Sequence, residues 1–154
     1  MTVRIRPLGA DDIARTALLE KEIFSDAWSE ASVRSHMAGA ANVSLGAFPA
    51  EDSPGEAAPE AAGYLLGMIV CDEAEVYRVA ADPARRRQGI GSALLEAFLG
   101  ECRACGVRLV SLEVRAANDP AIRMYANAGF ANAGLRKDYY RDPADDGIVM
   151  RLEL

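Results

Sequence analysis

Arg85–Leu95 reads RRRQGIGSALL. Three arginines run into two glycines, and the glycines run into apolar residues at helical spacing. A helix N-terminus exposes about four unpaired N–H groups and carries partial positive charge. Glycine there lets an anion approach bare backbone, so the stretch suits a phosphate-bearing ligand. Two ligand classes fail. A nucleoside-triphosphate loop requires Lys-Ser or Lys-Thr after its second glycine, and here Ser92-Ala93 follows Gly91. A dinucleotide loop requires a third glycine, and position 94 is Leu94. The plainer alternative is a glycine-softened helix start under a solvated arginine cluster.

The flanking residues place this loop between a strand and a helix. Ile90, Leu94, Leu95, Phe98, Leu99, Cys102 and Cys105 make a helical apolar stripe that Gly106 can end. Upstream, Glu75–Ala81 reads as a strand closed by Asp82-Pro83, and Asn42–Phe48 and Gly63–Val70 read as its neighbours. Between those two, residues 49–61 are rich in Pro, Ala and Glu and predict a mobile hairpin loop. Thr2–Arg6 alternates as a first strand. Asp11 or Asp12 can cap a helix with Ile13, Leu18, Leu19 and Ile23 on its apolar face, and Ser29 can cap a second one. Downstream come a strand over Val107–Val114, a helix opening at Asn118-Asp119-Pro120, and two strands near Leu135–Tyr140 and Ile148–Leu154. No internal repeat is visible.

The 154 residues fit one domain, 1–154, and with 51% hydrophobic residues a sizeable core forms without staples. No apolar run approaches the roughly 18–20 residues of a membrane span, and the first residues carry no apolar export core. Three cysteines give no disulfide framework. These features predict a cytoplasmic protein that works away from membranes. The net charge of −6 argues against direct nucleic-acid binding and is compatible with a cationic substrate. No metal site is expected: Cys102-Arg103-Ala104-Cys105 has only Cys71 and His36 as further ligands, without paired spacing. Core packing is the expected role of that pair, and a surface or capping role that of His36.

After the next strand the chain reads Asn118-Asp119-Pro120-Ala121-Ile122-Arg123-Met124-Tyr125-Ala126-Asn127-Ala128-Gly129-Phe130. This matches the pattern Asn-x-x-Ala-x-x-x-Tyr-x-x-x-Gly-Phe at every specified position. Together with Arg86-x-x-Gly89-x-Gly91, it resembles the GCN5-related N-acetyltransferase (GNAT) superfamily, whose corresponding loop holds the pyrophosphate of coenzyme A. Leu112-Glu113-Val114-Arg115, Phe24-x-x-Ala27-Trp28-Ser29-Glu30 and Arg136-Lys137-Asp138-Tyr139-Tyr140 narrow the resemblance to the ribosomal-protein-alanine N-acetyltransferases, the RimI type. Ala27 stands where members usually have Pro. The resemblance implies an α/β GNAT fold: a mixed, mostly antiparallel central sheet, splayed centrally, with helices on both faces.

It also implies a site. Acetyl-CoA is the implied co-substrate, cradled by Arg87, Gln88, Gly89, Ile90, Gly91 and Ser92. Val79, Ala80 and Ala81 would pair with its pantetheine arm where their strand splays, and an amide there would stabilise an oxyanion. Asn118 is implied as a coenzyme contact; a plain helix cap explains it equally. Glu113, late in an apolar strand, is expected to be partly desolvated, with its pKa raised toward working pH. The family uses it as general base; a structural ion pair with Arg115 or another cation is the alternative. Tyr125 would donate a proton to the departing thiolate, or would simply be a core tyrosine. Trp28, Tyr139 and Tyr140 would line a peptide groove or pack at its rim.

Proton arithmetic favours an α-amine acceptor. Such an amine is roughly 10–15% neutral at pH 7 against about 0.04% for a lysine, which suits a single carboxylate base. The implied reaction is direct transfer to the N-terminal alanine of a protein, a ribosomal one by resemblance. The alternatives are transfer to a small amine, such as a polyamine or aminoglycoside, and a non-catalytic acetyl-CoA-binding subunit. The sequence leaves the oligomeric state open.

Overall fold

The computed structural model describes residues 2–50 and 59–154. The predicted 49–61 loop therefore lies, over 51–58, outside the described residues. Among those described, seven strands form one sheet in the order β1-β2-β3-β4-β5-β7-β6. The strands are β1 (Val3–Pro7), β2 (Asn42–Pro49), β3 (Gly63–Val70), β4 (Glu73–Ala81), β5 (Leu109–Arg115), β6 (Ala131–Tyr140) and β7 (Asp145–Glu153). Every neighbouring pair is antiparallel except β4 and β5, which run parallel. Helices α1 (Ile13–Ile23) and α2 (Glu30–Ala38) precede β2; α3 (Ile90–Ala104) and α4 (Asp119–Asn127) flank β5.

The central strands are apolar on both faces because both faces are covered. In β3, Leu65 joins the core under α3 and α4, while Tyr64 and Leu66 join the core under α1 and α2. This explains why GYLLGMIV shows no clean alternation. The stripe predicted on α3 is buried from Ile90 to Cys102. Its last member fails: Cys105 caps the helix and is exposed, because Gly106 (φ +78°) turns the chain away. Burial pushes the Cys102 thiol up to about 11, which fits a packing role.

Two expectations on the other face need correction. Leu18 is 48% exposed, whereas Thr16 and Glu20 are fully buried. The buried residues of α1 are Ile13, Thr16, Leu19 and Glu20, and Leu18 sits about 100° around the helix from Leu19. A hydrophobicity pattern therefore chose the wrong neighbour for a face that buries polar groups. His36 is not a surface residue either. It is buried edge-on against the Trp28 and Tyr77 rings and bonds the Val43 carbonyl through Nε2 at 3.2 Å. Burial holds its pKa below the ordinary histidine value.

Phe98 is fully buried at the centre of the α3 face, and Gly67 on β3 leaves room for it: a Cβ there would stand 3.1 Å from its ring. Phe98→Ala is expected to lower the unfolding free energy by about 3–5 kcal/mol. A urea titration checks this as a midpoint shift at unchanged slope; a shift worth under about 1 kcal/mol would place the core elsewhere.

Candidate active site

The site begins where β4 and β5 stop pairing. Their parallel ladder runs from Glu73↔Leu109 to Val76↔Leu112 and ends there. On its other edge β4 keeps pairing with β3 through Ala81, with one extra residue, Tyr77, between the pairs Gly67↔Val76 and Leu66↔Arg78. Such a bulge bends a strand and increases its twist. From Tyr77 to Ala81 the β4 edge facing β5 thus has no strand partner.

A cavity of about 530 Å³ lies in this opening, lined by Val79, Arg86, Glu113, Asn118, Tyr125 and Tyr140 among others. It brings five sequence-predicted residues together: Val79, Glu113, Asn118, Tyr125 and Tyr140. Ala80 is instead buried in the core under α1 and α2, and Ala81 packs beside the α3 core. Neither lines the cavity. Arg86 was not among the expected contacts, although it begins the Arg-x-x-Gly-x-Gly pattern.

The glycine loop stands beside the opening. Gly89 is the N-cap of α3, left-handed at φ +74° with no side-chain cap, and Arg87 is left-handed at φ +65°. Left-handed residues in such a loop help turn successive N–H groups toward a common point, an anion-binding concavity. Ile90, Gly91 and Ser92 form the first turn of α3. A Cβ on Gly91 would lie 3.7 Å from Val79 Cγ1 and 2.9 Å from Met124 Sδ, so this turn adjoins both the β4 edge and α4. Gln88 lies within the same loop. The Asn118 side chain caps α4 by accepting from the Ala121 N–H at 3.3 Å. Capping thus occupies one acceptor of this side chain and leaves its amide N–H groups.

Glu113 sits on β5 just past the last residue paired with β4. Its side chain is 22% exposed and its Oε1 lies 2.9 Å from Arg136 Nε. The ion-pair alternative is therefore realised, with Arg136 and not Arg115 as the cation. Hydrogen bonding to Glu113, then burial, raises the Tyr139 pKa. Arg136 and Tyr139 both come from β6, whose register shifts between Arg136 and Tyr140. Asp138 is left-handed there (φ +53°), its N–H bonded to Asp146 at 2.8 Å. The irregularity separates the registered Arg136 and Tyr140 pairs by the stretch that carries Tyr139.

A second carboxylate stands near Glu113. Glu75 pairs across the ladder with Ser111, two residues before Glu113. Its pKa is raised by burial and by the Glu113 charge, and lowered by Arg136. Sequence reasoning missed Glu75, since nothing local distinguishes it from the other acidic residues of that strand. Tyr125 is buried, its ring edge-on to Phe130 at 5.7 Å. Burial, then Tyr140, pushes its hydroxyl well above the ordinary phenol value. Burial and the Glu113 charge push Tyr140 up to about 12.

A second cavity, about 730 Å³, adjoins the first, shares Glu113 with it and is lined by Trp28, Glu75, Tyr77, Tyr139 and Tyr140 among others. All three aromatic residues expected at a groove line it. The arrangement is thus a carboxylate shared by two adjoining openings, one beside an uncapped helix start and one walled by aromatics. No cluster of three metal-ligating side chains exists among the described residues, and none of their helices is long and apolar enough to cross a membrane.

Comparison with known proteins bears on the family. The pattern of the Acetyltransferase (GNAT) family matches residues 14–130. The "[Ribosomal protein bS18]-alanine N-acetyltransferase" of Escherichia coli K12 is 41% identical over 95 residues, 60% of this chain and 64% of that one. The aligned stretch thus spans under two thirds of that relative. The "N-alpha-acetyltransferase RimI" of Mycobacterium tuberculosis is 37% identical over 151 residues, 97% of this chain and 91% of that one. The crystal structure of the ribosomal-protein-S18-alanine N-acetyltransferase from Escherichia coli superposes with a TM-score of 0.84 at 32% identity. It covers 99% of this chain and 94% of the other. Splayed parallel strands, a glycine-capped central helix and a family pattern over most of the length agree: this chain belongs to the acetyltransferase (GNAT) family.

Proposed function

We propose that the protein transfers acetyl from acetyl-CoA directly to the α-amine of an N-terminal alanine, in the cytoplasm, with a ribosomal protein as acceptor. The observation that carries this is the position of Glu113, which lines both an opening beside the α3 N-terminus and the adjoining aromatic-walled groove. Direct transfer needs this layout: two substrates must meet at one carboxylate. The names of the relatives from Escherichia coli and Mycobacterium tuberculosis support the acceptor class.

The residues present fit the coenzyme. Its pyrophosphate would lie on the amides of Arg87, Gln88, Gly89, Ile90, Gly91 and Ser92. The open β4 edge at Val79, Ala80 and Ala81 would pair with the pantetheine amides, and Asn118 would contact the arm while capping α4. The coenzyme supplies an activated acyl group, and the chain manages the protons. Glu113 accepts the proton of the incoming ammonium. Arg136, with Nε 2.9 Å from its Oε1, and Tyr139 hold its carboxylate at the groove.

Tyr125 acts as a hydrogen-bond donor. An ordinary phenol is already a weaker acid than a thiol by about 2 kcal/mol. Burial raises the Tyr125 pKa further, so full transfer to a thiolate is still less favourable. The hydroxyl keeps its proton throughout neutral pH and stabilises the departing sulfur by donating to it.

Glu113→Gln is expected to lower turnover on an Ala-initiated peptide by about 10²-fold or more, with acetyl-CoA binding retained by calorimetry. Glu75→Gln is the control and is expected to cost far less. A larger loss in that variant would move the base to β4, and full activity in Glu113→Gln would support a non-catalytic coenzyme-binding subunit. Tyr125→Phe is expected to slow turnover about tenfold with little change in either KM. Gly89→Val forces a β-branched residue to φ +74° and is expected to weaken acetyl-CoA binding about tenfold or more. Turnover of a polyamine or aminoglycoside, with none of the peptide, would replace the acceptor assignment.

Glu75 also sets a pH dependence. Its pKa is raised on folding, so the native state holds that proton at pH values where the unfolded chain has lost it. Its contribution is present at and below the ordinary glutamate range and is lost as pH rises through the raised value. Glu75→Gln is expected to remove this loss, read as a flatter stability profile above about pH 4.5 in urea titrations.

A further inference from the structure

Glu20 takes no part in the chemistry above, yet it is fully buried on α1. It accepts from the Trp28 N–H at 2.9 Å and from the Tyr64 hydroxyl, and its Oε1 lies 3.2 Å from Arg78 Nε. Arg78 stands on β4 within the splayed stretch, and its side chain is 12% exposed. Its other arm donates to the Asp26 carbonyl at 2.7 Å and to Asp26 Oδ1 at 3.2 Å. Its guanidinium lies 4.2 Å from the centre of the Phe24 ring.

Apart from Tyr64 and the contact between Glu20 and Arg78 themselves, these partners belong to one segment, the connection from Phe24 to Ser29 between α1 and α2. That segment has little regular structure of its own. It supplies Ser25, Asp26 and Trp28 to the wall of the aromatic groove. A buried ion pair is a poor source of net stability but fixes geometry well, and breaking one partner leaves an uncompensated charge. Here both charges are spent on one loop: Glu20 grips it at Trp28 and Arg78 at Asp26. Arg115 adds a weaker hold at Ser25, 3.3 Å away.

We propose that Glu20 and Arg78, backed by Tyr64, are positioning residues that clamp the Phe24–Ser29 segment onto the groove and so restrict the acceptor's first residue to a small one. The clamp acts on the acceptor through the loop. The proposal rests on the N-terminal acceptor reading given above.

The test uses Glu20→Gln/Arg78→Gln, which neutralises both partners together and leaves no lone buried charge, with Arg78→Lys as the conservative variant. Peptides beginning with Ala and with Leu are compared in full steady-state kinetics. Trp28 is the only tryptophan in the chain, so acrylamide quenching of its fluorescence reports the loop without any turnover. In the double variant, the preference for Ala over Leu is expected to fall about tenfold, carried by acceptor KM, while the KM for acetyl-CoA stays within about threefold. Trp28 is expected to become more quenchable. Arg78→Lys keeps a partner for Glu20 but cannot also reach Asp26, and is expected to fall between.

An unchanged preference with a freed Trp28 would overturn the proposal, as would a uniform fall in kcat and a rise in both KM values. If the unmodified protein acetylates no α-amine peptide, the acceptor reading fails by itself. The clamp is then judged on Trp28, and unchanged quenching in the double variant would overturn it.

Discussion

Two parallel strands that stop pairing after Val76 and Leu112 create everything else in this molecule. A sheet interior normally satisfies every backbone amide and carbonyl. Here β4 keeps β3 on one side and loses β5 on the other, so its last residues present unpaired polar groups inside the fold. A ligand with amides of its own can satisfy them. The same opening admits the first turn of α3 on one flank and the side chain of Glu113 on the other, and so gathers a site from elements far apart in sequence.

Electrostatics then divides the work among arginines and carboxylates. Arg136 holds Glu113, and Arg78 holds Glu20 and Asp26. Arg115 holds carbonyls of the β6–β7 connection, at Pro143 (2.8 Å) and Arg141 (3.1 Å). Each of these cations stands close to the opening, and each ties down a different wall. The protein carries a net charge of −6, yet its site is built from pairs of opposite sign. The overall charge says little about the local field. Glu75 is the exception: burial first, and then the Glu113 charge, raise its pKa against the opposing pull of Arg136.

Much of the fold was legible because its signals are local. The α3 stripe, the Ser29 and Asn118 caps and the β3 run all depend on neighbours in sequence, and the structure places them within a few residues of expectation. The glycine loop and the Asn-to-Phe motif marked the site for the same reason. What stayed hidden is tertiary. Leu18 and Glu20 exchanged roles because the face of α1 is chosen by Arg78 and Tyr64, some 44 to 58 residues away. Cys105 left the core and His36 entered it through a turn and an aromatic pair. Arg136 as the partner of Glu113, and Glu75 as its neighbour, follow from strand register, which spacing in the sequence does not reveal.

The central claim, that acetyl-CoA completes the edge of β4 where β5 leaves it, is tested most directly by amide hydrogen exchange with and without acetyl-CoA. Protection should rise at amides of Tyr77–Ala81 and of Gly89–Ser92, with Glu73–Val76 unchanged because β5 already covers them. Binding that leaves both segments exchanging as before would contradict the account.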